Sequence, residues 1–120
     1  MDFTSTVRHA AGRVVLTVAG DVDLAAHGRF QADIDQAWDG TTDLVLDCSQ
    51  VTFLDSMGLR VLVTTIQRAD EHGRKVTLAA PSQPVIRVLD LAGIREMFTE
   101  VEAVPTDTPG SDPLPEADSA

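Results

Sequence analysis

The 120-residue sequence is poor in several residue types: it has one cysteine, one lysine and no tyrosine. The single cysteine, Cys48, excludes an internal disulfide and a metal site built from several cysteines. We therefore expect a reducing compartment, the cytoplasm. No apolar run approaches the roughly 18 residues of a membrane helix, and the first residues are too polar for a secretory signal.

Basic residues are scarce as well. The chain has 19 acidic residues against 9 basic ones, and its net charge is −10. Such a surface offers no electrostatic footprint for phosphate backbones, so we expect no nucleic-acid partner and no binding to an anionic membrane. A protein partner that carries a basic patch suits this charge better.

The last part of the chain differs in composition from the rest. Segment 105–120 holds four of the six prolines and four of the acids, but no basic residue. It cannot bury enough apolar surface to offset its ordering entropy. We predict a disordered, acidic, proline-rich tail at 105–120, with an acidic interaction tail as the alternative. The folded domain is then 1–104, whose net charge is −6 once the tail's four acids are removed.

Two hydrophobic periodicities alternate along 1–104 and predict the element order β-β-α-β-α-β-α-β. The predicted strands are 7–10, 13–19 (ended by Gly20), 44–46, 76–79 and 98–104; the predicted helices are 24–38, 56–72 and one from an N-cap at Ser82 to Gly93. Strands that alternate with helices predict an α/β fold. Because the first two strands form a hairpin, we expect a mixed sheet of four to five strands with helices packed against it.

Acidic segments fall at three predicted strand ends, 20–23, 47–49 and 55–58, where ligands and partners of open α/β sheets gather. In the last segment, Ser56 precedes an apolar helical face and occupies a predicted N-cap position. One interpretation is that its hydroxyl only caps the helix, which is worth about 1 kcal/mol. The other is that the hydroxyl is exposed and accepts a phosphoryl group, which adds about −1.5 to −2 charge. Free N–H groups at a helix start tolerate such an anion.

The segment from Val51 to Leu62, Val-Thr-Phe-Leu-Asp-Ser-Met-Gly-Leu-Arg-Val-Leu, resembles the signature of STAS domains, in particular of the anti-sigma factor antagonists. Segments 20–23, 44–47 and 85–94 resemble three further family segments, in order and at the family's spacing. The resemblance covers about residues 5–104 and implies the STAS fold.

The resemblance also implies roles for single residues. Ser56 matches the serine phosphorylated by the partner, an anti-sigma factor that is also a serine kinase. Asp23 matches an acid needed for docking and phosphorylation, and Asp55 matches the acid before the phosphoserine. Gly58 matches the glycine of the pattern, which can let the partner approach the helix start closely.

The function implied by the resemblance is partner switching in transcription regulation. The unphosphorylated chain binds the anti-sigma factor and frees a sigma factor, and phosphorylation ends this binding until a PP2C-type phosphatase restores it. ATP is bound by the kinase, so we expect no cofactor on this chain, and we expect a monomer. We add Asp21, Met57 and Arg60 to the predicted partner-binding residues. Met57 departs from the family pattern, since many relatives carry Ser or Thr there.

Two other functions stay open. The segment Asp21-Val22-Asp23-Leu24 is similar to the Asp-x-Asp motif of haloacid-dehalogenase-like phosphatases, whose paired carboxylates hold Mg²⁺ and attack phosphorus. Ala25 departs from that motif, and we predict that the chain is not an enzyme. The alternative within the STAS family is a scaffold or subunit of another complex, in stress signalling, lipid transport or nucleotide sensing. The scattered His9, His27 and His72 indicate no metal site.

Overall fold

Alternating strands and helices build residues 1–104, the part of the chain that the computed structural model describes. The elements are β1 (Thr4–Ala10), β2 (Arg13–Val22), α1 (His27–Ala37), β3 (Asp43–Leu54), α2 (Ser56–Glu71), β4 (Val76–Ala79), α3 (Gln83–Ala92), a short 3₁₀ turn (Arg95–Met97) and β5 (Thr99–Val101). This is the predicted order, with the 3₁₀ turn added. The tail predicted at 105–120 lies outside the described residues, so the domain boundary stays a prediction.

The five strands form one mixed sheet in the order β1-β2-β3-β4-β5. β1 and β2 are antiparallel, and every other neighbouring pair is parallel. Ala11 and Gly12 make the hairpin turn with φ of 51° and 75°, a conformation that glycine adopts without cost. The predicted α/β fold with a mixed sheet is confirmed, and its parallel part brings the carboxyl ends of β2 and β3 to one edge.

One core cluster joins all three helices to the sheet. Phe30 and Ile34 lie four residues apart on α1, Leu62 and Ile66 do the same on α2, and all of them are buried. Burying each such side chain contributes about 1.5–3 kcal/mol. The strands alternate, so Val15, Val45 and Ala79 form a second, smaller cluster with Val101 and Val104. Most of the apolar packing that stabilises the sheet is therefore on the face covered by the helices.

The buried Trp38 and the half-buried Arg68 join the end of α1 to α2. Trp38 follows α1, is 1% exposed, and donates from Nε1 to the carbonyl of Thr42 at 2.7 Å. Arg68 of α2 lies over the Trp38 ring at 4.9 Å and pairs with Asp35 at 2.7 Å, which fixes the end of α1 to α2.

Burial raises the pKa of the Cys48 thiol to about 12, so this thiol is protonated and unreactive at neutral pH.

Two predicted strand ends are wrong. β2 does not stop at Gly20 but continues to Val22, and β3 runs through segment 47–49 to Leu54. The pairing of β2 with β3 shifts register between Thr17 and Ala19 and again between Gly20 and Asp21. These irregularities accommodate the polar segment and the positive φ of Gly20 within the strands. Segment 47–49 is therefore not a strand end, and Asp55 follows β3 directly.

The helix starts also differ in detail from the prediction. α1 begins at His27 rather than at residue 24, because residues 24–26 form a turn tied to Asp23. Ser82 is the N-cap residue of α3, as predicted, and Gly93 ends that helix with φ 70°. Among residues 1–104, no helix combines the length and the apolar character needed to cross a membrane.

Candidate functional site

The candidate site lies where β2 and β3 end and α2 begins. Val22 pairs with Leu54 at the last position of both strands, and the Asp55 amide donates to the Val22 carbonyl at 3.3 Å. The two chain segments that leave the sheet here carry Asp23 and Ser56. The topology thus brings together two acidic segments, 20–23 and 55–58, that the sequence singled out; the third, 47–49, lies within β3.

The N-cap of α2 is Asp55, not Ser56 as predicted. Asp55 has extended backbone, and its Oδ1 accepts hydrogen bonds from the amides of Met57 at 2.9 Å and Gly58 at 3.0 Å. A carboxylate in this position satisfies two of the free N–H groups and favours the positive end of the helix dipole. Ser56 is consequently the first residue inside the helix.

This arrangement excludes the interpretation that Ser56 only caps the helix, because the capping bonds are made by Asp55. Its side chain is exposed, and the capping bonds that it was predicted to make come from its neighbour. Met57, the next residue, is half-buried and donates its amide to the Asp55 cap. The Ser56 hydroxyl is therefore accessible from outside the protein.

The structure explains why position 58 requires glycine, which the sequence alone did not show. The residue is buried, and a Cβ atom on it would lie 2.5 Å from the Val22 carbonyl oxygen and 2.6 Å from Leu54 Cδ1. Glycine is thus needed so that α2 can start close against the ends of β2 and β3. It faces the protein interior, which corrects the interpretation that it leaves room for a partner.

Asp23 organises the turn before α1. Its Oδ1 accepts from the amides of Ala25 and Ala26, both at 3.1 Å, and its carbonyl accepts from the His27 amide at 2.9 Å. The Leu24 amide of the same turn donates to Asp55 Oδ2 at 2.9 Å. Asp23 is half-buried, so its carboxylate still reaches the surface beside the start of α2.

Asp21 is bound on the same edge by two donors. Thr52 donates to its Oδ1 at 2.6 Å, and the α-ammonium group of Met1 donates to its Oδ2 at 2.9 Å. These bonds favour the charged form, and they hold the pKa of the Asp21 carboxyl below its usual value. Asp21 therefore stays ionised, with both oxygens already accepting hydrogen bonds.

Arg60 lies one helical turn after Ser56, on the same face of α2. It is exposed, and none of the ion pairs found within residues 1–104 involves it. It borders a groove of about 420 Å³ between α1 and α2, whose other lining residues include His27, Gln31, Met57 and Thr64. The site thus combines an acidic edge with one free positive charge.

Two apolar residues at this edge received no role in the sequence analysis. Leu24 is 67% exposed and Phe53 is 49% exposed. Each stands next to a residue of the site, since Leu24 follows Asp23 and its amide binds Asp55, and Phe53 lies two residues before Asp55. Exposed side chains of this kind offer apolar contact area to a partner. A signal was available in the sequence, because both are large apolar residues within two positions of predicted site acids.

Asp21 and Asp23, the two acids of the phosphatase-like motif, both accept hydrogen bonds from donors of this chain. Asp21 is held by Thr52, and Asp23 is held by backbone amides of its own turn. Residues 1–104 contain no group of three histidine, cysteine, aspartate or glutamate side chains placed to hold a metal ion. What the geometry offers is a hydroxyl, acidic side chains and apolar side chains on one surface.

Fold and site together define a mixed-sheet α/β domain with an accessible serine at a strand-to-helix junction. The family model described as "STAS domain" matches residues 4–106, and the chain belongs to the STAS domain family. The resemblance and the STAS-like fold predicted from the sequence are thereby confirmed.

The similar proteins carry regulatory names. Over 96 residues, 79% of this chain and 78% of the relative, the chain is 31% identical to the anti-sigma-F factor antagonist RsfB of Mycobacterium tuberculosis (strain ATCC 25618 / H37Rv). An anti-sigma factor antagonist from Mycobacterium paratuberculosis has a similar crystal structure, with a TM-score of 0.72, 27% identity and coverage of 86% of this chain and 88% of that one. The Bacillus cell fate determinant SpoIIAA in its phosphorylated form shares the fold, with a TM-score of 0.64, 18% identity and coverage of 82% and 91%.

Proposed function

We propose that this chain is an anti-sigma factor antagonist whose binding to its partner is switched off by phosphorylation of Ser56. The observation that carries the proposal is the exposed position of Ser56, the first residue of α2, beside a cap supplied by Asp55. The relatives with similar sequence are anti-sigma factor antagonists, which supports the choice of partner.

The partner is an anti-sigma factor that is also a serine kinase. It binds ATP and transfers the γ-phosphoryl group to the Ser56 hydroxyl oxygen, with release of ADP and the hydroxyl proton. A PP2C-type phosphatase removes the group by hydrolysis. We place this exchange in the cytoplasm and assign one copy of the chain to each partner.

The switch acts through charge. The described domain has excess acid, Asp55 directly precedes Ser56, and the turn that carries Asp23 is bonded to Asp55 through the Leu24 amide. A phosphate adds about −1.5 to −2 charge there. The positive end of the helix dipole favours an added anion at the start of α2, so the fold is kept. A partner surface that fits the neutral hydroxyl meets repulsion and added bulk after phosphorylation.

Leu24, Phe53 and Met57 supply apolar contact area for the partner, and Arg60 supplies the one positive charge on this part of α2. Asp23 contributes a carboxylate at the edge of this surface. A partner that carries basic residues around an apolar centre is complementary to it.

The test is a calorimetric titration of the anti-sigma factor with four forms of the chain: wild type, Ser56→Ala, Ser56→Asn and Ser56→Asp. We expect alanine and asparagine to bind within a few-fold of wild type. Aspartate binds about 100-fold more weakly, as expected for an uncompensated charge in an interface. Asparagine has the size of aspartate without its charge, so this pair separates charge from bulk.

A matched control is Gln67→Glu, which adds one negative charge to an exposed position eleven residues after Ser56 on the same helix. This variant should bind like wild type. Equal binding by all Ser56 variants, or equal loss in Ser56→Asp and Gln67→Glu, would contradict a switch located at Ser56.

A further inference from the structure

Asp55 makes contacts in two directions. Its Oδ1 accepts from the amides of Met57 and Gly58 and so caps α2, while its Oδ2 accepts from the amide of Leu24 at 2.9 Å. Leu24 belongs to the turn between β2 and α1, 31 residues earlier in the chain. One carboxylate therefore joins the turn that carries Asp23 to the start of the helix that carries Ser56.

From this geometry we infer that Asp55 is a positioning residue: it holds the turn 23–26 against the start of α2, so that Asp23, Leu24 and Ser56 form one surface. The inference rests on the proposed function, because that surface is where the partner is proposed to bind. Both Asp55 oxygens accept backbone N–H groups, so the carboxylate fixes the positions of the two segments on either side of it.

The turn depends on this contact because its other bonds are local. Asp23 binds amides two and three residues further along, which shapes the turn but does not attach it to α2. Leu24 is 67% exposed, so little apolar packing anchors it. A charge-assisted hydrogen bond is stronger than a neutral one, and here it spans the two segments of the site.

The variant Asp55→Asn separates the two functions of this side chain. Asparagine is as good an N-cap as aspartate, and its one amide oxygen can keep both helix bonds. Its NH₂ group then faces the Leu24 amide, and a donor cannot accept from a donor. The helix cap is kept while the contact with the turn is lost, so the variant is expected to fold.

Amide hydrogen exchange followed by NMR on the full chain measures this directly and needs no partner. We expect the amide hydrogen of Leu24 to exchange about tenfold faster in Asp55→Asn than in wild type. Loss of one hydrogen bond predicts a change of this size. Met57 and Gly58 should stay within about twofold of wild type. Unchanged exchange at Leu24, or faster exchange at Met57 and Gly58 alone, overturns the inference.

The matched control is Asp39→Asn. Asp39 uses only Oδ1, which accepts from both the amide and the hydroxyl of Thr41, so one amide oxygen can replace it. The exchange rates at Leu24, Met57 and Gly58 should equal those of wild type in this variant. A change at Leu24 of the same size as in Asp55→Asn would overturn the assignment to Asp55.

The second measurement is phosphorylation of Ser56 by the anti-sigma factor kinase. A positioning role predicts a KM for the Asp55→Asn chain about tenfold above that of wild type, with kcat within about threefold. An unchanged KM together with faster Leu24 exchange would reduce Asp55 to a structural residue and overturn the inference. If the wild-type chain is not phosphorylated at all, the proposed function fails, and the exchange experiment still decides whether Asp55 holds the turn.

Discussion

Two serines stand at the starts of two helices, and the molecule uses them in opposite ways. Ser82 is the N-cap residue of α3; it is half-buried, and its hydroxyl donates to the Val51 carbonyl at 2.7 Å. Ser56 is the first residue inside α2 and is exposed. The same side chain at the same kind of junction is thus a structural link in one case and an accessible group in the other.

The neighbours explain this difference. Before Ser56 stands Asp55, whose carboxylate takes over the capping of α2. At α3 no side chain caps the helix, but Pro84 in its first turn lacks an N–H group, which leaves fewer donors to satisfy. The Ser82 hydroxyl can therefore serve the strand β3 instead. A serine at a helix start is accessible only where its hydroxyl neither caps the helix nor bonds to a neighbouring strand.

The largest expected effect on stability comes from breaking the close approach of α2 to the sheet. Gly58→Ala places a Cβ atom 2.5 Å from the Val22 carbonyl oxygen, so the free energy of unfolding should fall by about 1–3 kcal/mol. Denaturant unfolding monitored by circular dichroism measures it.

Gly28→Ala is the control for that experiment. Gly28 is also helical, but nothing lies within 4 Å of a Cβ atom built there. This variant should be more stable than wild type by about 0.5–1 kcal/mol. If Gly58→Ala and Gly28→Ala changed the free energy of unfolding by the same amount, α2 would not depend on the close contact at Gly58.

The next effect contrasts the two serines themselves. Ser82→Ala removes the donor to the Val51 carbonyl and should cost about 1 kcal/mol of unfolding free energy. Ser56→Ala should change it by less than about 0.5 kcal/mol, since the residue is exposed and Asp55 caps the helix. If both variants lost similar amounts of unfolding free energy in the same assay, the two serines would not differ in their contribution to stability.

The smallest expected effect on stability comes from Asp21, whose carboxylate accepts a hydrogen bond from Thr52. The pKa of Asp21 is lowered from its ordinary 3.8, with the hydrogen bond from Thr52 as the largest cause. The stabilisation that goes with a lowered pKa is present above the unfolded-state pKa and is lost as the pH falls through the folded-state value. Thr52→Val should raise the Asp21 pKa, as seen in an NMR titration, and the variant's stability should approach that of wild type in acid. An unchanged Asp21 titration in this variant would show that Thr52 does not set the charge at this edge.

Much of this architecture could be predicted from the sequence, because apolar periodicity reports which face of each element is buried. The hairpin, the mixed sheet and the apolar faces of the helices follow from it. The full length of β3 does not, since the polar Asp47 and Ser49 interrupt the apolar run, and the register shifts in this region involve pairing with β2. The cap of α2 also differs from the prediction: Asp and Ser are equally good caps, so the local sequence does not choose between Asp55 and Ser56, and the structure shows Asp55 in this position.

The most direct test of the central claim is site-resolved mass spectrometry of the chain after incubation with ATP and the anti-sigma factor kinase proposed as its partner. Ser56 and Ser82 fall on opposite sides of Arg68 and Arg74, so trypsin separates them into different peptides. The account predicts phosphate on the peptide with Ser56, none on the peptide with Ser82, and no incorporation in Ser56→Ala. Phosphate on Ser82 or on another hydroxyl, with Ser56 unmodified, would contradict it.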